Sequence, residues 1–341
     1  MKIAFTGGGT LGHVIPCLTI ALALDKNIDI FYLSSNKQNE VDKIKENMRL
    51  YKISSGKLRR YFSFNNFLDV FKIFFGFIQS FFILLKERPN LLFSKGGYVS
   101  VPVVLAARLL NIPIITHESD ITMGLANKIN SKFAKYVLHG FQPKVEDGKH
   151  LYSGNPIRND LVKLEKNNSK MNILVLGGSS GSLSLNNMIY KILDDILPFA
   201  KVYHQAGKHG DFTIKKDGYE QVEFISSDYN KRLNEATLVI SRSGANAISE
   251  FIYLNKAILL VPLMTNASRG EQILNAKYLV DKNAAILCEN ENEIKENIFN
   301  ILNDNSIIEK MEENISKLGV KDSKSFILDL IYKEIAYGMD N

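Results

Sequence analysis

The chain has 341 residues, 45% hydrophobic and 23% charged, a balance that fits two globular domains and excludes a disordered or low-complexity protein. Two cysteines, Cys17 and Cys288, are too few for a disulfide framework or a cysteine metal cluster and fit a reducing compartment. The net charge of +6 is uneven: residues 1–160 carry 21 basic against 12 acidic side chains, or +9, and residues 161–341 carry 21 against 24, or −3, so the front half points to a polyanionic partner.

The chain opens on a core strand rather than a leader, so no signal peptide is expected. Lys2 to Thr6 read as a buried strand and Val14 to Leu24 as a packed helix, with Gly7, Gly8, Gly9 and Gly12 between them. Such a turn exposes backbone N–H groups beside a helix N-terminus, and phosphate is the expected guest. Gly7, Gly9 and Gly12 also fit the dinucleotide fingerprint, but the second strand, Ile28 to Leu33, ends in Ser34, Ser35 and Asn36 and lacks the acid that would hold a ribose. His13, at the mouth of the loop, is either a general base or a helix-capping, exposed histidine.

Residues 57–88 put nine phenylalanines between Phe62 and Phe82, flanked by Lys57, Arg59, Arg60, Lys86 and Arg88. Asp69, Lys72 and Gln79 interrupt the apolar run, which is too short to span a bilayer. A helix lying in the headgroup layer and an ordinary core helix both fit. A nucleic-acid surface does not, because basic residues do not alternate with the aromatics.

A second glycine turn, Gly96 and Gly97, follows the next strand. The strand Ile112 to Thr116 ends in His117, Glu118, Ser119 and Asp120, and a helix carrying Gly124, Asn127 and Lys128 comes after it. Polar residues beyond strand ends are where an open α/β sheet binds ligand, although a structural His117–Glu118 pair fits as well. Gly154 to Arg158 lead into a polar stretch, 161–172, with linker composition.

The opening architecture then repeats: a strand from Ile173 to Leu176, glycines 177, 178 and 181, and an amphipathic helix. Two such halves facing each other would enclose a cleft with a phosphate loop on each wall. One strand ends at His204 and Gln205, another at Ile225. Leu238 to Ser241, Gly244 and Ala245 to Phe251 form strand, turn and helix, and Glu250 is placed to take ribose hydroxyls. Glu271, Gln272 and Asn275 are expected to face the same crevice, while nothing after Glu289 suggests chemistry.

Taken in order, GGGTLGH (7–13), KGGYVSVP (95–102), His117-Glu118, GLANK (124–128), GNPIR (154–158), GGSSGS (177–182), HQAGK (204–208), SRSGANAISE (241–250) and GEQILNA (270–276) resemble the peptidoglycan N-acetylglucosaminyltransferases that make lipid II from lipid I. The resemblance implies an α/β fold of two Rossmann-like domains facing a cleft, the glycosyltransferase B-type fold. An acceptor and membrane-docking domain would span 1–157, rejoined by a C-terminal helix at about 322–341, and a UDP-N-acetylglucosamine domain would span 158–321. It implies Ile225 at uracil, Glu250 at ribose, and Arg158, Ser179 and the helix start Ala245, Asn246, Ala247, Ile248 and Ser249 at the diphosphate. Glu271 and Gln272 would select the sugar, Thr10, Leu11, Gly12 and Asn127 would meet donor sugar and acceptor, and His13 would be the base with Glu118 behind it. Many members carry two glutamines where this chain has Glu271 and Gln272.

The implied partners are UDP-N-acetylglucosamine, the undecaprenyl-linked acceptor lipid I, an anionic membrane surface on the cytoplasmic face and other cell-wall synthesis proteins, with no nucleic acid. No cofactor and no metal are expected, since no Asp-x-Asp pair follows a strand and Asp194-Asp195 read as helical. A transferase acting on another lipid, a sugar-nucleotide epimerase and a dinucleotide oxidoreductase are the alternatives.

Overall fold

The computed structural model describes residues 1–56, 64–164, 171–178, 181–226, 228–263 and 270–337, with the backbone alone at 38, 39 and 64–68. Lys57, Arg59, Arg60, Phe62 and Ser179 therefore lie outside the described residues, as does 165–170 of the linker stretch. The chain divides into two compact units, residues 1–158 with 321–341, and residues 159–320.

The first unit runs β1 (Lys2–Thr6), α1 (Leu11–Ala21), β2 (Asp29–Ser34), α2 (Gln38–Lys45), β3 (Arg49–Lys52), α3 (Phe64–Glu87), β4 (Leu91–Ser94), α4 (Ser100–Leu109), β5 (Ile114–Glu118), α5 (Leu125–Phe133), β6 (Tyr136–His139) and β7 (His150–Tyr152). The second runs β8 (Met171–Leu176), α6 (Leu183–Ile196), β9 (Ala200–Gln205), β10 (Tyr219–Val222), α7 (Tyr229–Glu235), β11 (Leu238–Ser241), α8 (Ala245–Leu254), β12 (Ala257–Leu260), α9 (Glu271–Val280), β13 (Ile286–Leu287), α10 (Glu291–Asn303) and α11 (Ser306–Leu318). The last helix, α12 (Ser323–Tyr337), belongs to the first unit.

Both sheets are parallel, in the orders β3-β2-β1-β4-β5-β6-β7 and β10-β9-β8-β11-β12-β13. In each, the first strand lies at the centre and the order reverses beside it, which opens a crevice at the carboxyl ends of β1 and β4 and of β8 and β11. The two turns expected at neighbouring strand ends are thus side by side. The central strands are wholly buried and apolar up to the serines, Ser94 and Ser241, that end β4 and β11, as parallel strands covered on both faces must be.

Helices on both faces close the first core. Phe5, Tyr32 and Phe93 pack with Val14 and Leu18 of α1 and with Ile327, Ile331 and Ile335 of α12 on one face. Leu84 of α3 and Val103, Val104 and Ala107 of α4 cover the other. α12 is further tied down by Glu334, which accepts from Lys135 Nζ at 2.7 Å and from Tyr136 OH at 3.1 Å.

The phenylalanines of α3 divide between the core and the surface. Phe77 and Phe81 pack on the core beside buried Leu84, whereas Phe74, Phe75 and Phe82 are 56%, 57% and 63% exposed. Between α3, α4 and α5 lies an open apolar cavity of about 730 Å³, lined by Ile73, Phe74, Phe77, Leu105 and Phe133 with Arg108 among its walls. Among the described residues, no helix is long and apolar enough to cross a membrane.

Candidate functional site

In the first unit, α1 begins at Leu11, three residues earlier than the apolar spacing suggested, so His13 sits in its first turn. Its Nδ1 lies 3.0 Å from the Thr10 hydroxyl, and its backbone N–H donates to Thr10 O. If Thr10 accepts, Nδ1 carries the proton and Nε2 presents a lone pair; the tautomer follows from the partner.

The first glycine loop differs from expectation. Gly9 N donates to Glu40 Oε1 at 3.1 Å, and Lys37 Nζ donates to Gly9 O at 2.6 Å, so α2 grips both polar groups of that peptide. A buried carboxylate already takes the place of a phosphate at Gly9, and α1 starts two residues further on, at Leu11. A carboxylate there also argues against a dinucleotide pyrophosphate. The second turn sits directly against the first: Gly97, at φ +77°, leaves only 2.0 Å from its missing Cβ to Gly8 O, so no larger residue fits.

Glu118 and Asn127 organise the loop that follows β5. The carboxylate accepts from Asp120 N at 3.1 Å, Gly124 N at 2.9 Å and Asn127 Nδ2 at 3.1 Å. The buried Asn127 amide also donates to His117 O and accepts from Thr116 Oγ1, directly beneath Gly96. His117 is wholly buried, with Lys95 Nζ at 2.5 Å from Nδ1 and Gly154 O at 2.9 Å from Nε2. Burial, then the neighbouring ammonium, push its pKa well below the usual histidine value, so it is neutral. The structural alternative for His117 is the one found.

In the second unit, Ser182 caps α6 and accepts from Leu185 N. Gly181, at φ +76°, packs where a Cβ would stand 2.3 Å from Ala206 O. The side chain that binds this region together is Arg242, only 8% exposed at the end of β11. It donates through Nε and Nη2 to Ser182 Oγ, through Nη1 to Val261 O (2.8 Å) and Pro262 O (3.0 Å), and through Nη2 also to Ser184 Oγ. Among the described residues it forms no ion pair, and desolvation lowers its pKa. A buried cation without a carboxylate is unfavourable until an anion arrives.

Beside it α8 begins at Gly244 without a side-chain cap, and among the described residues the space beyond Gly178 and Gly244 is open. Ala245, Asn246 and Ala247 supply the main chain of that first turn. Ile248 is wholly buried, and the half-buried Ser249 donates its hydroxyl to Ala245 O. Glu250 accepts from Tyr229 OH at 2.7 Å. Ile225 lies beyond β10, which stops at Val222, and its N–H is held by Gln205 Oε1, whose Nε2 in turn donates to Gly178 O.

Gln272 accepts from Leu263 N through Oε1 and from Ser243 Oγ through its carbonyl. Glu271 is half-buried at the start of α9. Asn275, expected to face the crevice, is instead fully buried and donates to Ser243 O, because its helix turn faces the sheet. His204, also fully buried, is held by Tyr219 OH and Asn186, and burial drives its pKa down to about 3. Arg158 is half-buried at the last residue of the first unit's main segment.

Residues 3–139 match the glycosyltransferase family 28 N-terminal domain, and residues 172–327 match the family 28 C-terminal domain. The chain belongs to glycosyltransferase family 28. This family 28 chain is 42% identical to the UDP-N-acetylglucosamine–N-acetylmuramyl-(pentapeptide) pyrophosphoryl-undecaprenol N-acetylglucosamine transferase of Staphylococcus carnosus, over 98% of its own length and 97% of that protein. It is 39% identical to the protein of the same name from Clostridium botulinum, over 98% of both. Among solved structures, the MurG of Acinetobacter baumannii superposes with a TM-score of 0.77 at 26% identity, over 97% of this chain and 99% of the other. A UDP-GlcNAc 2-epimerase from Neisseria meningitidis shares the fold at a TM-score of 0.66 and 13% identity, over 98% of this chain and all of the other.

Glu40 and Tyr229 lie outside every motif quoted above, and Lys95 and Arg242 lie inside two of them with no role assigned to either. The latter pair had a signal. Lys95 and Arg242 each stand at a strand end just before a glycine turn, where a basic side chain has little reason to be unless something anionic is near.

Proposed function

We propose that the protein transfers N-acetylglucosamine from UDP-N-acetylglucosamine to the C4 hydroxyl of the N-acetylmuramyl unit of undecaprenyl-pyrophosphoryl-MurNAc-pentapeptide, converting lipid I to lipid II in cell-wall synthesis. The observation that carries this reading is identity of about 40% to transferases of that name over nearly the whole chain. The acceptor oxygen attacks the anomeric carbon in line as UDP leaves, so the α-linked donor gives a β-linked product.

The second unit takes the donor. UDP leaves with its charge met by Arg242, Ser179 and the first-turn amides Ala245, Asn246 and Ala247, an arrangement supported by a buried guanidinium with no carboxylate partner among the described residues and by a helix start without a side-chain cap. Glu250, steadied by Tyr229, takes ribose hydroxyls; the main chain at Ile225 takes uracil; Gln272 and Glu271 take the sugar. Ile248 and Ser249 support that helix turn from within.

The first unit takes the acceptor. His13 removes the C4 proton through Nε2 while Nδ1–H donates to Thr10, and Leu11 and Gly12 offer their helix-start amides to anionic oxygens. Glu118 shapes the loop and holds Asn127 in place. The Phe-rich face of α3 docks on the anionic cytoplasmic surface of the membrane, where the acceptor resides. No metal takes part in this scheme.

The test is purified protein with radiolabelled UDP-N-acetylglucosamine and a lipid I analogue, with and without excess EDTA. Transfer at equal rates in both arms is expected. Epimerised nucleotide sugar without acceptor, or loss of transfer in EDTA, would contradict the reading. For docking, Phe74→Ser with Phe75→Ser and Phe82→Ser is expected to lower sedimentation with anionic vesicles by at least about tenfold, since each exposed phenylalanine is worth roughly 1.5–3 kcal/mol when buried. Unchanged sedimentation would place the membrane contact elsewhere.

A further inference from the structure

Lys95 is 2% exposed, yet it is an ammonium. It leaves the end of β4, passes under the first glycine loop, where its Cβ would lie 3.2 Å from a Cβ on Gly7, and ends between two partners from the next strand. Nζ lies 2.5 Å from His117 Nδ1 and donates to Ser119 Oγ at 2.5 Å. An ammonium can only donate, so Nδ1 must accept and the proton of His117 must sit on Nε2, where it is given to Gly154 O. That carbonyl also accepts from Ser323 Oγ at 3.0 Å, at the start of α12.

One buried cation therefore links the second glycine turn, the loop after β5 and the segment at Gly154. We propose that Lys95 is a positioning residue for the acceptor side of the reaction: it fixes Ser119 and donates to His117 Nδ1, and it adds positive charge at the carboxyl ends of β4 and β5. The proposal rests on the transferase reading, in which the acceptor's anionic oxygens lie at the start of α1, next to the end of β4 through the pairing of β1 with β4. The nearest built-in anions, Glu118 and Asp120, belong to the loop it holds.

The titratable groups that face it are Glu118 and Asp120 from the β5 loop, His117 with His139 behind it, and the Cys17 thiol of α1; Tyr32 and Glu40 stand beyond the glycine loop. Burial outweighs the attraction of Glu118, Cys17 and Asp120, and brings the Lys95 pKa down to about 8. A lowered lysine is charged below that value and loses its charge as the pH rises through it. The cation is thus present at neutral pH and fades just above.

The experiment is steady-state kinetics of the wild type, Lys95→Met and Lys95→Arg from pH 6.5 to 9.5, varying lipid I analogue and UDP-N-acetylglucosamine in turn. Lys95→Met is expected to raise the acceptor KM about tenfold and to leave the donor KM within about twofold. Wild-type kcat/KM for acceptor should fall through about pH 8; this limb should vanish in Lys95→Met, and in Lys95→Arg, which stays charged, it should be absent across the range. An unchanged acceptor KM, both KM values moving together, or a limb that persists in Lys95→Met overturns the proposal. Nitrogen-15 NMR of His117 gives a readout apart from activity: Nδ1, which accepts from the Lys95 ammonium in the wild type, should shift in Lys95→Met while Nε2–H stays on Gly154 O, and an unshifted Nδ1 in the variant would again refute the proposal. Failure of the wild type to transfer at all would remove the transferase reading, with the NMR arm still testing the clamp; should Lys95→Met not fold, Lys95→Arg carries the pH test alone.

Discussion

His13→Ala is expected to lower kcat by about 10²–10⁴-fold, the range that a positioned general base supplies, with the donor KM within about twofold of wild type. The expectation comes from place rather than residue type. His13 is in the first turn of α1, and Thr10 at its Nδ1 is the group that can leave Nε2 as the acceptor of a proton. Nucleotide-sugar contacts belong to the second unit in this scheme, so binding of UDP, followed by calorimetry, should survive the change. A variant with near-normal turnover would show that His13 only caps its helix. Thr10→Val should give a smaller loss, about tenfold, since the imidazole remains but its tautomer is no longer set.

Arg242→Met is expected to weaken UDP binding by about 10²-fold, because a buried positive charge attracts a diphosphate across a poorly screened interior even though its N–H groups are already held by Ser182, Ser184, Val261 O and Pro262 O. Removing the guanidinium also leaves Val261 O, Pro262 O and Ser182 Oγ without their donor, so stability should fall as well. The two effects separate by ligand. Uridine, which lacks the diphosphate, should bind Arg242→Met and wild type alike, while UDP should not. Equal losses for both ligands would mean that Arg242 merely braces the loop.

The sheet topology was legible because parallel strands buried on both faces leave unbroken apolar runs, and both glycine turns announced the switch points. What hydrophobic periodicity could not give was which polar side chains turn inward. Asn275 and Asn127 read as ligand-facing from their neighbours in sequence, yet both are buried, since a helical position changes face within one residue. Glu40 was invisible for a different reason: it reaches back 31 residues to Gly9, and no local spacing encodes such a contact. Lys95 and Arg242 share that difficulty, each making its bonds to residues about 20 to 60 positions away.

The attachment of α12 to the first unit bears on how the molecule is made. Ile327, Ile331 and Ile335 complete an apolar core whose other members, such as Phe5, Val14 and Leu18, leave the ribosome some three hundred residues earlier. During synthesis that surface waits uncovered while residues 159–320, which form a continuous unit, have everything needed to collapse at once. The amino-terminal half is therefore finished after the unit that follows it, the reverse of the usual vectorial order, and the nascent chain carries an unsealed greasy flank until α12 has been made.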